Sequence, residues 1–331
     1  MITIKDIARV AGVSHTTVSR ALNGSPLIKK ETRDKIEKIA AEMNYIPNYS
    51  AKSLVMRRSY TIGLFFSSID QGTSSSFLVD AMKGIHHVLD ENYNLTVHGI
   101  DGIKHFDAIL PQRFDGILVM SQSDADNAFI YHVKKMGIPL VVLNRQLEDP
   151  GIMNVVADDR EGVKEAIDYA AAQGHRKFAI IEGKAGFKSS SERKQGFLDS
   201  LIANRMPLVP EYFAAGDYGI ESGYEAMASL LSLPDPPTVV FCANDDMAIG
   251  AMNACYAGGV AIPEQMSLIG FDDIVFARYT NPALTTIHRP VAEISKLGTT
   301  KLIELMKEPD CEPQRLFVKT SLVVRQSVAS V

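Results

Sequence analysis

Six short, largely apolar runs, rich in β-branched side chains, recur between residues 61 and 271 and dictate what most of this chain can become. They are TIGLFF at 61–66, GILVM at 116–120, LVVL at 140–143, FAIIE at 178–182, TVVFCA at 238–243 and MSLIGF at 266–271. A strand that is apolar at successive positions is buried on both faces, and helical patterns fill the intervals between these runs. The solution is a parallel sheet with helices on either side, a doubly wound layer. The rhythm starts afresh at 178, so two such parallel-sheet subdomains are expected, with a strand at 317–324 closing the chain. No short-period repeat or low-complexity tract is visible, and the doubling is one of architecture alone.

Ahead of that body, residues 3–23 read TIKDIARVAGVSHTTVSRALN. Ile4, Ile7, Ala8 and Ala11 follow i, i+3, i+4, i+7 spacing, and Thr3 with Asp6 forms a capping pattern at the start of this first helix. Gly12 ends it where a left-handed residue is needed, Val13 can drop inward, and Ser14 can cap a second helix over 15–22. Val18 and Leu22 point to the core, which leaves His15, Thr16, Ser19, Arg20 and, one turn on, Asn23 on the opposite face. Short polar side chains beside one arginine suit a helix entering the DNA major groove. Ile36, Ile39, Ala40 and Met43 mark a third helix, which the segment before Pro47 stops. Residues 50–56 (SAKSLVM) have helical propensity but are too short to be stable alone.

Charge divides along the same line. Residues 1–60 carry a net +6 and the remainder −11, although the whole is only −5. A basic head on a phosphate-repelling body suits nucleic-acid binding, with a merely solvated basic face as the alternative. At 331 residues the chain should hold two or more domains. It has no run of 18 apolar residues, and its first residues, MITIKD, lack a signal-peptide layout, so a cytoplasmic protein without membrane contact is expected. Cys242, Cys255 and Cys311 are too widely spaced for a zinc pattern and read as small buried hydrophobes.

In paired α/β layers a ligand is met at the carboxyl ends of the strands. Those ends deliver Ser67, Ser68 and Asp70, Ser121 and Gln122, Asn144 and Arg145, Ser191 and Arg193, Asn244 and Asp245, and Asp272 and Asp273. Hydroxyls, amides, carboxylates and guanidiniums are the donor and acceptor set for a polyhydroxylated ligand, although many α/β strand ends are polar without binding anything.

The motifs TIKDIAxxAGVSxxTVSRALNG, NYIPNxxAxxL, ANDDMAxGA and SxIGFDD together resemble the lactose-repressor and galactose-repressor family of transcription regulators over essentially the whole chain. The resemblance implies a helix-turn-helix head at 1–48, a hinge helix and linker at 49–59, and a type I periplasmic-binding-protein-like body at 60–331. It divides the body into 60–158 with 288–318 and 159–287 with 319–331, the chain crossing near Asp158, near 284–288 and near Lys319. The implied DNA contacts are Ser14, His15, Thr16, Thr17, Ser19, Arg20 and Asn23, with His15, Thr16 and Arg20 reading bases. The hinge would fold on DNA as a pair across a dimer axis, Leu54 wedging into a minor-groove base step beside Ala51 and Lys52. Of the strand-end residues, Ser68, Asp70, Ser121 and Arg145 are expected effector contacts from their position, and the resemblance adds Arg193, Asn244, Asp272 and Arg289. Lys29 and Lys30 replace the usual hydroxyl cap of the third helix, and Tyr49 replaces a polar residue, removing one phosphate contact.

The expected protein is a homodimeric repressor of sugar-utilisation genes that binds near-palindromic double-stranded DNA under control of a sugar-like effector, with no cofactor and no metal. Arg145, Arg193 and Arg289 together exceed what a neutral sugar needs and suggest a hexuronate or sugar phosphate, unless Arg145 and Arg289 are spent on Asp158, Asp159 or Asp273. The rival readings are a sugar-metabolising enzyme or a sugar-binding protein without operator binding. No phosphate loop, GxGxxG fingerprint or HExxH pair supports an enzyme, and the adjacent pairs 158–159, 245–246 and 272–273 point apart at strand ends.

Overall fold

The structure, a computed structural model, describes residues 2–22, 25–45, 58–69 and 73–331. It divides into two compact units, one up to Arg58 and one from Ser59. The first holds α1 (Ile4–Ala11), α2 (His15–Leu22) and α3 (Lys30–Glu42). The Asp6 carboxylate accepts from the Thr3 amide at 3.0 Å and the Thr3 hydroxyl at 2.7 Å. Gly12, at φ 73°, closes α1 by donating to the Ala8 carbonyl. Ser14 Oγ accepts from the Thr17 amide at 3.1 Å, and Lys29 gives α3 no side-chain cap. Ile7, Val18, Ala21 and Ile36 are fully buried at the centre of this small core.

The second unit contains two six-stranded sheets. The first comprises β1 (Thr61–Phe66), β2 (Asn94–Gly99), β3 (Gly116–Met120), β4 (Leu140–Leu143), β5 (Met153–Ala157) and β11 (Arg315–Val318), all parallel, in the order 11-5-4-3-1-2. The second comprises β6 (Phe178–Ile181), β7 (Phe213–Ala214), β8 (Val239–Cys242), β9 (Ser267–Asp272), β10 (Thr285–His288) and β12 (Ser321–Val323), ordered 12-10-9-8-6-7 with only β12 antiparallel. Apolar clusters lie on both faces of each sheet, which is why the central strands read as continuous apolar runs.

Between strands run α4 (Ser75–His86), α5 (Asn127–Lys135), α6 (Asp159–Ala172), α7 (Lys188–Ala203), α8 (Ile220–Leu231), α9 (Asp245–Ala257) and α10 (Val291–Lys307). The chain leaves the first sheet after β5, returns to it through α10 after β10, and crosses again between β11 and β12. The expected single strand at 317–324 is therefore two strands in different sheets. At the break, Thr320 Oγ1 donates to the Asp158 carbonyl at 3.0 Å, pinning one crossover to another. Cys242 and Cys255 are buried as expected, whereas Cys311 is only half-buried.

Candidate ligand cleft and nucleic-acid face

On the helical head, α2 turns Val18 and Ala21 inward and leaves Ser14, His15, Thr16 and Arg20 exposed, with Thr17 and Ser19 half-buried. Ser14 and Thr17 share a hydroxyl–hydroxyl bond of 2.9 Å, so both help to fix the N-terminus of α2. Arg9 is drawn toward Asp6 at 3.2 Å, leaving Arg20 as the basic side chain of the last turn of α2. Asn23, and Ala51, Lys52 and Leu54 of the expected hinge, lie outside the described residues, as does Asp70.

In the body, the carboxyl ends of the two sheets bound a cleft. The first subdomain contributes Ser74, Phe77, Gln122 and Asn144, and the second contributes Ser189, Arg193, Tyr218, Asn244 and Asp272, with Arg289 where the chain crosses back. Their shared cavity is about 30 Å³, room for a water rather than a sugar ring. It meets, at Ser74 and Tyr218, a chamber of about 780 Å³ that Lys184, Asp217, Asp246 and Phe276 also line. The closed state has a visible fastening: the Lys188 amide donates to the Gln122 carbonyl at 2.8 Å, beside a β-bridge between Ser123 and Phe187.

Charge in the cleft is organised around Asp159, the first residue of α6. It accepts from Arg193 Nε at 3.0 Å through one carboxylate oxygen and from Arg289 Nε at 3.1 Å through the other. Arg193 also donates to the Ala243 carbonyl, reaches Asp272 at 3.4 Å, and lies over the Phe271 ring at 3.7 Å. Arg289 donates to Asn144 Oδ1, and its Nη1 has no hydrogen-bond partner among the described residues. Burial pushes the Arg193 pKa down, but Asp159 and Asp272 outweigh it and hold this guanidinium above its ordinary value. Burial pushes the Asp272 carboxyl up, against the pull of Arg193 and Arg289. The backbone is forced here too. Asn144 (φ 76°), Tyr218 (φ 77°), Asp272 (φ 111°) and Asp273 (φ 56°) are all left-handed without being glycine, a concentration typical of ligand sites.

Of the expected effector residues, Arg193, Asn244, Asp272 and Arg289 are brought together. Asn244 is partly committed: its Oδ1 caps α9 at the Met247 amide and its Nδ2 donates to the Tyr218 carbonyl. Ser121, Arg145 and Ser68 do not line the cavity. Ser121 Oγ bonds Asp126 at 2.6 Å and receives Arg145 Nε at 2.8 Å. Arg145 continues to Asp124 at 2.5 Å and Asn127 at 2.6 Å, facing a separate cavity of about 380 Å³. Ser68 is buried, its carbonyl accepting from Thr73. The expected surplus of cation is therefore absent: Arg145 is elsewhere and paired, and Arg193 and Arg289 share Asp159. Of the acidic pairs, Asp245 is wholly buried, accepting from the Ile274 amide and Thr286, while Asp246 turns outward to the larger chamber.

Sequence reasoning missed Ser74, Phe77, Ser189 and Tyr218. Ser189 was recoverable, because on α7 it precedes Arg193 by one turn, whereas Ser191 is rotated to solvent. Tyr218, which bonds Ser189 Oγ at 2.9 Å, sits in a loop whose course no periodicity reveals.

Comparison with known proteins agrees with this division. A family described as bacterial regulatory proteins, lacI family, matches residues 3–48, and a periplasmic binding protein-like domain matches 167–328. The chain is 54% identical over 328 residues to a Bacillus subtilis (strain 168) protein named probable HTH-type transcriptional repressor ExuR, covering 99% of this chain and 98% of that one. It is 32% identical to the ribose operon repressor of Haemophilus influenzae, each chain covered in full. Among solved structures, the lac repressor dimer bound to operator and the anti-inducer ONPF aligns with a TM-score of 0.85 at 26% identity over 99% of both chains. A complex of the transcriptional regulator CelR with cellobiose aligns at 0.74 with 29% identity, covering 99% of this chain and 100% of that one.

Proposed function

The chain belongs to the lacI family of bacterial regulatory proteins and is a transcriptional repressor, not an enzyme; from that premise we propose how its switch is built. A cytoplasmic homodimer presents two heads to a near-palindromic operator, with His15, Thr16 and Arg20 reading base edges. Exposed Tyr224, Tyr256, Val275 and Tyr279 offer the apolar surface that a dimer contact would cover. Residues 60–158 with 288–318, and 159–287 with 319–331, act as the two bodies that close on a small ligand. That ligand is a sugar carrying one carboxylate, a hexuronate in size and charge, and the regulated genes serve sugar use.

The observation that carries this reading is Arg289. It is 6% exposed, its Nε is held by Asp159 and its Nη2 by Asn144, and its Nη1 has no partner among the described residues, in a residue that lines a cavity with hydroxyl and amide groups, the Phe77 ring and the paired Arg193 and Asp272. A guanidinium edge so placed suits one carboxylate oxygen, and the surrounding groups suit ring hydroxyls. The CelR complex and the ribose operon repressor supply sugar-linked relatives. Two measurements test it. Operator selection from random DNA followed by gel shift should return a near-palindrome, and failure to enrich any sequence overturns operator reading. Calorimetry should show galacturonate or glucuronate binding more tightly than the matching neutral hexose, and equal binding overturns the carboxylate.

A further inference from the structure

Nothing about the fold requires a carboxylate between Arg193 and Arg289. Asp159 stands one residue inside α6, whose N-terminus is already capped by Asp158, and its side chain makes no bond to its own helix. Both its oxygens go to the Nε edges of the two arginines, and it is 5% exposed, so water does not share the work. Arg193 comes from α7 of the second subdomain and Arg289 from the segment returning to the first. One carboxylate thus fixes both guanidiniums by their Nε edges, while the Arg193 Nη groups go to the Ala243 carbonyl and Asp272, the Arg289 Nη2 goes to Asn144, and the Arg289 Nη1 alone is left without a bond among the described residues.

We infer that Asp159 is the positioning and charge-setting residue of the effector cleft: as a built-in counter-anion it cancels one of the two guanidinium charges while Asp272 faces the other, so that the site admits a single carboxylate at the Arg289 edge and discriminates against a ligand of two negative charges. This rests on the anionic-sugar reading above. Two buried arginines facing only Asp272 would form a locus suited to the doubly charged phosphate of a sugar phosphate, which accepts several charge-assisted hydrogen bonds. With Asp159 between them, the dianion meets a fixed carboxylate within the same few ångströms, in surroundings that screen poorly. A single carboxylate keeps the Arg289 Nη1 contact without that repulsion. Replacing Asp159 by asparagine retains an oxygen for one arginine and removes the charge.

The test compares full-length wild type, Asp159→Asn, and the charge-retaining variant Asp159→Glu, by calorimetry with galactose, galacturonate and galactose 6-phosphate, and with the glucose series in parallel. The quantity read is the ratio of affinities, which a general weakening of the site leaves unchanged. In Asp159→Asn the phosphate-to-uronate ratio should rise tenfold or more, and in Asp159→Glu, which keeps the charge, it should stay near wild type. Loss of all three ligands in equal proportion in Asp159→Asn, or an unchanged ratio, overturns the inference. Should Asp159→Asn not fold, Asp159→Glu still decides: with the charge kept, a ratio that rises there rather than holding near wild type overturns it. A wild type that prefers galactose to galacturonate defeats the anionic-sugar reading instead, and the shift in ratio remains a separate result.

Discussion

Asp246 shows how a single side chain registers the cleft. Burial, followed by repulsion from Asp272, pushes its carboxyl up to about 6. Because the folded state favours the protonated form, charging Asp246 costs stability: the cost is absent below the ordinary value of 3.8, grows as pH rises through about 6, and is constant above. Asp246→Asn should therefore raise stability by about 1–2 kcal/mol near pH 8, partial exposure reducing the ~3 kcal/mol that such a shift implies at full burial. Near pH ~3 the two proteins should melt together, since Asp246 is then largely protonated in both the folded and the unfolded chain. Thermal melts at the two pH values check the sign. On the head, Arg20→Ala should cost roughly 1–3 kcal/mol of operator binding and relax base choice at one position. Gel shifts across single-base operator variants decide, because an equal loss on every sequence makes Arg20 a phosphate anchor. At this scale the sequence was informative wherever a cleft residue lies at or just past the end of an apolar strand, as Asp272 ends β9 and Asn244 closely follows β8. It was misleading at Arg145, also just past a strand end, because the left-handed turn at Asn144 sends the next side chain to Asp124 and Asn127.

Among the elements, the three helices of the head and the six central strands were legible because burial imposes a period on them. β2 (NLTVHG) and β5 (MNVVA) were not. β2 pairs on one side only, at the sheet edge, so its faces are half-buried and its residues mixed. β5 carries Asn154, whose amide serves the Val142 and Arg145 carbonyls and breaks the apolar run although the residue is buried. The split between β11 and β12 was hidden for a related reason: one extended stretch serves two sheets, and local propensity is the same on both sides of the crossover. Independence of the two compact units yields a sharper expectation. Ile36→Ala empties a fully buried site in a core built from only three short helices, and should destabilise the head by about 2–5 kcal/mol. The first of two melting transitions should fall and operator binding should be lost, while effector affinity measured by calorimetry stays as in wild type. Loss of effector binding as well would show that the units do not fold separately.

For the whole molecule, what matters is how the proposed effector cleft is held at its lip. The inner cavity of about 30 Å³ is too small for a hexose, although it adjoins the chamber of about 780 Å³, so a ligand that reaches Arg193 and Arg289 must spread the two sheets at the lip where the Lys188 amide meets the Gln122 carbonyl. That fastening can be removed without touching a side chain that contacts the ligand. Lys188 is the first residue of α7, where proline is tolerated because the N–H has no partner within the helix, and Phe187 before it is already extended (φ −86°, ψ 132°), as a following proline requires. Lys188→Pro therefore deletes one hydrogen bond across the lip and little else. At a net 0.5–1.5 kcal/mol for such a bond, the open population should rise about two- to tenfold. Stopped-flow measurements should show effector association faster by a similar factor, with helix content unchanged by circular dichroism and a larger radius of gyration in the ligand-free protein. Because effector and operator affinities are linked reciprocally, a shift in the open–closed balance must also move operator affinity, within a coupling of about 1–3 kcal/mol. If the operator-bound state is the open one, Lys188→Pro represses more tightly without effector, and if it is the closed one, less tightly. An association rate that does not change, with α7 intact, would place the gate elsewhere and leave the lip as packing alone.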